Sequence, residues 1–461
     1  MANLTQFPGV PFNKVYGIVP VAVQGIGGAD NFVVQVYDKT NTIKLADLRQ
    51  SRNENDTALF DISRILQSFT FPSKKEIENT QGWSDSTEEV FEFKIRYGTE
   101  TGGVVTIDGT AFFQFVAING RKPKYELIWP ANDYRPFVQG ATCISAYNDE
   151  WAKALTDVEH YTVASSLDFT QYPSWVDSNQ RFYRHTVRRD DYYTLSFLNS
   201  KRTFGVTFTG AKGVAGIRVA TYDASGGLLQ EVLIPNIVTN GGGPDTTQFE
   251  YKDIQDPYWC VTAGVGLPNL QPYLDPSSID DIKYYYVAPV MYQDIGGCPD
   301  FNDGYSNAMW YIHRFDVDNG TCLDTPLQFS WMNSFGFRDY FTFEKRNRKR
   351  DTINRNNYLQ DPINWNGSSF SLDRRDRGYT TFSQEVAQTW EASTRYLRTH
   401  EADLLENLFI SPEVRVNFGD GVFLPVVIES NSWEQIDDFK DRLRQLTIRF
   451  RLAENIQTQR G

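Results

Sequence analysis

The chain has little of what most enzymes and secreted domains are built on. Cysteine, methionine and histidine occur only 4 times each in 461 residues. Cys143, Cys260, Cys298 and Cys322 form no CxxC pair and have no zinc-like spacing with His160, His185, His313 or His400. A zinc site and a disulfide framework are therefore not expected. The four thiols read as reduced and mostly buried, with a Cys298–Cys322 bridge as the alternative. No apolar run approaches the ~18 residues of a membrane helix. The start, MANLTQFPGVPFNKVYGIVPVAVQ, has a short apolar part interrupted by Pro20 and does not read as a signal peptide. Folding in a cytoplasm, with no membrane partner, is the expectation.

Catalytic signatures are also missing. There is no GxxxxGK[ST], no GxGxxG opening a helix, no GxSxG and no HExxH. Residues 300–304 (DFNDG) and 316–320 (DVDNG) resemble fragments of calcium loops. Neither has the full DxDxDG order or the later glutamate, so acidic turns are expected. Carboxylate pairs for glycoside cleavage need only spatial proximity, and 58 acidic residues offer no way to choose a pair. His400 stands beside Glu401 and Asp403, as in a solvated first helical turn. The reading is that the chain is not an enzyme. It assigns no catalytic residue, no cofactor and no metal ligand.

What is present is aromatic and strand-like. The 25 Tyr, 32 Phe and 10 Trp outnumber what a helical bundle would use, and long Ala/Leu/Glu/Lys-rich stretches are absent. Phe32, Val34 and Val36 alternate with other positions. Phe91, Phe93, Ile95 and Tyr97 alternate with Glu92, Lys94 and Arg96, a half-buried strand with one wet face. Residues 61–69 (DISRILQSF) suit a short helix with Asp61 as its cap. Residues 149–158 suit another. Tyr193, Leu195 and Phe197, then Phe204, Val206 and Phe208, then Ile217 and Val219, mark short strands between turn clusters, as in a sandwich or jelly roll. The Gly-rich 240–244 reads as a loop. Residues 399–411 (THEADLLENLFIS) read as a helix capped by Thr399, with Leu404, Leu405 and Leu408 on one face, and stopped by Pro412. Gly419-Asp420-Gly421 marks a hairpin, and Pro425 favours an edge position for the strand after it. The expected fold is mainly β, a multidomain β-sandwich/jelly-roll architecture with a few short helices. The divisions are an N-terminal β domain over 1–125, a middle β-sandwich/jelly-roll-like domain over 126–320 and a C-terminal α+β assembly domain over 321–461.

The stretch 327–350, LQFSWMNSFGFRDYFTFEKRNRKR, organises the rest. Two strand-like runs flank the turn Asn333-Ser334-Phe335-Gly336. Lys345, Arg346, Arg348, Lys349 and Arg350 follow within six residues. The whole chain carries a net charge of −13. Residues 338–377 hold ten basic and six acidic side chains, +4, which leaves −17 for the rest. The five basic residues form a candidate partner interface for an acidic patch. A solvated loop and contact with phosphates are the alternatives. No aromatic lies inside the run, as base stacking would want, so nucleic acid is not the expected partner. Residues 347–377 read as a long polar loop. Tyr192, Tyr193 and Trp175 would suit sugar stacking, with core packing as their ordinary use.

Several segments resemble structural proteins of tailed bacteriophages, of tail, baseplate or neck type, in particular those of phages of Bacteroides-like hosts. They are LQFSWMNSFGFRDYFTFE (327–344), LLENLFISPEVRV (404–416), FLPVVIES (423–430), LRQLTIRFRLAEN (443–455), ALFDISRILQSF (58–69) and FEFKIRYG (91–98). Together they cover about a third of the chain and include no catalytic motif. The resemblance implies a structural virion component assembled in the host cytoplasm, a ring around a tail or neck. Its partners would be copies of itself and neighbouring virion proteins. Residues 130–315 match no such pattern. The alternative is an attachment protein whose middle β domain reads a carbohydrate or receptor on the host surface.

Overall fold

Alternating apolar residues, so frequent in the sequence, become paired strands throughout. A computed structural model describes residues 2–6, 13–25, 29–72, 82–85, 89–108, 112–121, 161–163, 181–198, 214–236, 260–292, 305–307, 312–318, 325–360, 363–365, 367–372, 378–430 and 445–454. The fold is mainly β, with several sheets and a few short helices. The suggested helix at 149–158, the 204–208 strand, the 240–244 loop, Trp175, the 300–304 loop, His160, Cys143, Cys298 and Cys322 lie outside the described residues. The chain divides into two compact units. The first is Met1–Gly320 with Trp331–Phe341, and the second is Thr321–Ser330 with Thr342–Gly461.

In the first unit, Ala2–Gln6, Pro20–Gly25 and Thr57–Asp61 form a three-stranded sheet. A second sheet runs Asn13–Tyr16, Phe113–Arg121, Val90–Thr101, Asn31–Asp38, Lys44–Ser51, with Val104–Ile107 attached to Val90–Thr101. One core draws on both. Val21, Val23 and Phe60 come from the first sheet and Val34, Val36, Phe93, Ile95 and Phe115 from the second, the arrangement of a sandwich. Val33 is also buried, so Asn31–Asp38 is covered on both faces. The short helix Ser63–Gln67 closes one end and contributes Leu66. Asp61 acts near its start as the sequence suggests. Its Oδ1 accepts from the backbone N–H of Ser63 at 3.0 Å and of Val19 at 3.1 Å.

The middle sheet runs Tyr161–Val163, Arg181–Val187, Ile312–Val317, Tyr284–Tyr292, Val214–Tyr222, Leu228–Pro235. Arg181–Val187 and Ile312–Val317 are parallel. Trp83–Asp85 pairs with Cys260–Gly264, so a strand from the first 125 residues is hydrogen-bonded to one from the middle region. The tip of the central hairpin belongs to this unit. Asn333 Oδ1 accepts from the N–H groups of Phe335 (3.0 Å) and Phe337 (3.1 Å) and so organises the turn. Gly336 closes it at φ 86°. The Arg121 N–H donates to the Ser334 carbonyl at 2.9 Å, and the Lys14 ammonium lies 4.0 Å from the Phe335 ring centre.

A further sheet is ordered Arg338–Phe343, Leu327–Met332, Val414–Asn417, Phe423–Ile428, Thr447–Leu452, Gly378–Ser393, Asn347–Gln360, and its residues 327–330 and from 342 onward belong to the second unit. One face is apolar: Phe329, Phe343 and Phe450 pack ring to ring, and Trp390 stacks near Phe418 and Phe450. The other face is charged: Arg348 is registered against Glu391, and Glu391 against Arg449, with Arg449 Nε 3.3 Å from the Glu391 carboxylate. Period-2 alternation sorts these side chains.

Three expectations are corrected. Residues 347–360 are no loop: Asn347–Gln360 is a 14-residue strand paired along its length with Gly378–Ser393, with one register shift between Asn356 and Asn357. Phe423–Ile428 is no edge strand, because it lies between Val414–Asn417 and Thr447–Leu452. Pro425 is tolerated there because the ladder to Thr447–Leu452 ends beside it, where its carbonyl accepts from Ala453 N–H at 2.9 Å. The helix Thr399–Ile410 is capped at Arg398 rather than Thr399. The Glu401 carboxylate reaches back to the Arg398 N–H at 2.9 Å, the reciprocal half of a capping box. Ala402, Leu405 and Leu408 are its buried face.

Candidate docking surface

The five basic residues singled out from sequence sit where an edge strand of the second unit begins. Lys345 and Arg346 precede Asn347–Gln360, and Arg348, Lys349 and Arg350 are its second to fourth residues. All five are exposed. Strand geometry divides the run, which a loop would not. Lys349 is registered against Trp390 and lies over its ring at 5.4 Å, on the aromatic face. Arg348 and Arg350 point to the opposite, charged face. The run is therefore split between two faces, with Arg348 and Arg350 together on one. Among the described residues, no ion pair engages Lys345, Arg346, Arg348 or Arg350.

Beyond this base the two strands leave the sheet. Gly378–Ser393 pairs with Thr447–Leu452 only through Trp390, Glu391, Ala392 and Ser393. From Thr389 back to Gly378 its described partner is Asn347–Gln360 alone. The result is a two-stranded ribbon. At ~3.4 Å per residue, its free part reaches roughly 35 Å. Two further short strands, Ile363–Trp365 and Phe370–Leu372, pair with each other in the chain between them. Every side chain from Asp351 to Leu359 with a described surface is exposed. Polar cross-strand contacts hold the ribbon: Asn356 Nδ2 donates to Ser383 Oγ at 3.0 Å, Thr381 Oγ1 to Asn357 Oδ1 at 2.7 Å, and Gln388 Nε2 to Asp351 Oδ1 at 3.0 Å.

Large apolar side chains stand out along it. Tyr379 is 79% exposed, Phe370 71%, Leu359 67% and Trp365 57%. Trp365 and Phe370 pack on each other, ring centres 4.8 Å apart. Sequence reasoning missed this arm. Asn347–Gln360 has no buried face and hence no apolar alternation. The available signal was negative: a charge-rich stretch carrying scattered exposed Ile, Tyr and Leu, too long for an ordinary loop.

Other sequence candidates resolve into core. Tyr193 is buried. Its hydroxyl lies 2.9 Å from His185 Nδ1, and burial, with the Asp339 charge in addition, pushes that phenol well above its usual range. His185 Nε2 lies 2.9 Å from His313 Nδ1. Burial drives His313 down to about 3, so this imidazole is neutral at physiological pH. His313 Nε2 has no hydrogen-bond partner among the described residues. Asp316, from the second acidic turn, is taken by guanidinium groups. Arg184 Nε and Arg314 Nε both donate to it, the latter at 2.9 Å. Arg314 also lies 4.3 Å from the Tyr284 ring centre. Among the described residues no group of three His, Cys, Asp or Glu is placed to hold a metal ion, and no helix is long and apolar enough to cross a membrane. No family model matches the chain, and no curated protein matches it in sequence.

Proposed function

We propose that the chain is a structural component of a phage virion, a ring-forming protein of the tail or baseplate that assembles through its β domains and an extended arm. The single observation carrying this is the ribbon of Asn347–Gln360 and Gly378–Ser393, which leaves a packed sheet and exposes Leu359 and Tyr379, with Trp365 and Phe370 exposed on the short strand pair in the chain between them. Two-stranded ribbons are marginal in water on their own, and clustered apolar side chains on a surface mark interaction sites. An arm of this kind suits a protein whose work is to hold neighbours. Its partners would be copies of itself and adjoining virion proteins, in particles assembled in the host cytoplasm. The attachment alternative has less support, since Tyr193, one of its sugar-stacking candidates, is spent in the core.

The test is to raise antibody to the recombinant chain and apply it to purified particles of the phage that encodes it. Labelling at the tail or neck, with stoichiometric recovery of the chain from those particles, is the expected result. Particles that lack the chain would refute the proposal.

A further inference from the structure

We infer that the ribbon is a docking arm whose occupant site lies on a second copy of this chain, the basic base meeting an acidic surface and the aromatic tip an apolar one. This contact would be the one that closes the proposed ring, and so it rests on the assembly reading.

The arm has two chemically distinct parts. Its base, residues 345–351 (KRNRKRD), carries +4. Its distal part is neutral. The stretches 356–360, 362–372 and 378–384 contain no charged residue, and the three acidic and three basic side chains between them cancel. Free strand edges are normally blunted by Lys and other charges against unwanted pairing. Here that protection stops at Arg355, and the distal ribbon is left uncharged, aromatic and open on both edges among the described residues. Such a surface requires a cover.

Charge selects what covers it. The chain outside 338–377 carries −17, so another copy offers the base a counter-charge. A nucleic-acid duplex would satisfy the base but would offer Leu359 and the aromatic tip only a phosphate surface. Size agrees as well. The described exposed residues from Asp351 through Ser371 and from Tyr379 to Ala387 come to 19, close to the roughly 20–30 that one side of a standard interface uses. The contact joins an arm to a body, two different patches. It is therefore heterologous and closes as a ring when the rotation permits.

The experiment uses the full-length chain, its mass followed by light scattering across concentration in about 50 mM and about 500 mM NaCl, which bracket strong and weak screening. Self-association at low salt that weakens at high salt is expected. The variant Trp365→Ser/Phe370→Ser/Tyr379→Ser should associate at least ~10-fold more weakly. Its melting temperature should match the wild type, because these side chains are solvent-exposed. A wild type that stays monomeric to ~100 µM at low salt, or one whose association ignores the tip variant, overturns the inference. If such a monomer still enters particles through the arm, the cover is a neighbouring protein and the assembly reading stands. Tip-dependent self-association by a chain absent from purified particles keeps the contact and overturns the assembly reading instead. Binding of single-stranded DNA that is abolished by the tip variant, without self-association, also overturns the second-copy occupant.

Discussion

His185 Nε2 and His313 Nδ1 lie 2.9 Å apart in the interior of the first unit, brought together by parallel strands from positions 128 residues apart. Phe315 stacks on His185 at 4.5 Å and Tyr183 on His313 at 5.2 Å. Burial depresses His313 to about 3, against ~6.5 in an unfolded chain. Between these values the unfolded state binds the proton and the folded state does not. The contribution is fully present above about pH 6.5 and is lost as pH falls, by up to ~1.4 kcal/mol per unit. Urea midpoints of the first unit's transition should therefore drop between pH 6.5 and 4. In His313→Gln that drop should be shallower by about one proton's worth. Parallel pH profiles for the two proteins would show that His313 does not set the slope.

Gly336 tests the central turn. It sits at φ 86°, and a Cβ there would lie 2.2 Å from the Asn119 carbonyl oxygen, a backbone atom unable to step aside. Gly367 has a similar φ of 94° with nothing within 4 Å. Gly336→Ala should lower stability by roughly 1–3 kcal/mol or more. Gly367→Ala should cost about 1 kcal/mol, the price of a left-handed φ alone. Equal losses in thermal melts would mean that the close approach to Asn119 is relieved elsewhere.

The same hairpin shows what the sequence made legible. Leu327–Met332 and Arg338–Phe343 set Leu327, Phe329, Trp331, Tyr340, Phe341 and Phe343 about a turn-forming Asn and Gly, and those strands were legible. The burial of Gln328, Ser330, Arg338 and Asp339 beside them was not, since alternation reads as one wet face. Local pattern and tertiary environment diverge in Asn347–Gln360, where pairing is complete but nothing is buried, so backbone hydrogen bonds alone make the strand and leave no period to read. The basic run was legible as charge. Its division between two faces was not, since that needs the strand. Pro425 misled because a missing N–H excludes a ladder position, not an interior strand. The histidine pair was unreadable in principle, as no local signal links residues 128 apart.

Glu401 is the next test. Its carboxylate accepts from Arg395 Nη1 at 2.9 Å and Nη2 at 2.7 Å, and from the Arg398 N–H that starts the helix. The residue is 6% exposed. Glu401→Ala would take the bidentate acceptor from a mostly buried guanidinium, which keeps Glu344 at 3.7 Å, and would uncap the helix, for a loss of ~1–3 kcal/mol. Glu401→Gln keeps an acceptor for the cap and should lose less. Denaturant midpoints of the second unit would rank the three proteins. A Gln variant as unstable as the Ala variant would assign the effect to charge rather than to the cap.

The last prediction concerns the base of the arm. Arg346→Ser/Arg348→Ser/Arg350→Ser removes three exposed charges without touching Lys349, whose ammonium lies over Trp390. The aromatic face of the sheet therefore keeps its packing, and melting should shift little, as for other exposed substitutions. Single exposed pairs are worth about 0–1 kcal/mol, so no one arginine should matter much. Together they act on encounter, since charge complementarity raises association rates more than it deepens the bound state. The triple variant should associate more slowly than the wild type at low salt and show much less salt dependence. At high salt, where screening has already silenced the charges, the two should converge. Light-scattering kinetics of the two proteins at each salt concentration read the outcome directly. Equal association rates at every ionic strength would return Arg346, Arg348 and Arg350 to the role of a solvated strand base and leave recognition to the aromatic tip alone.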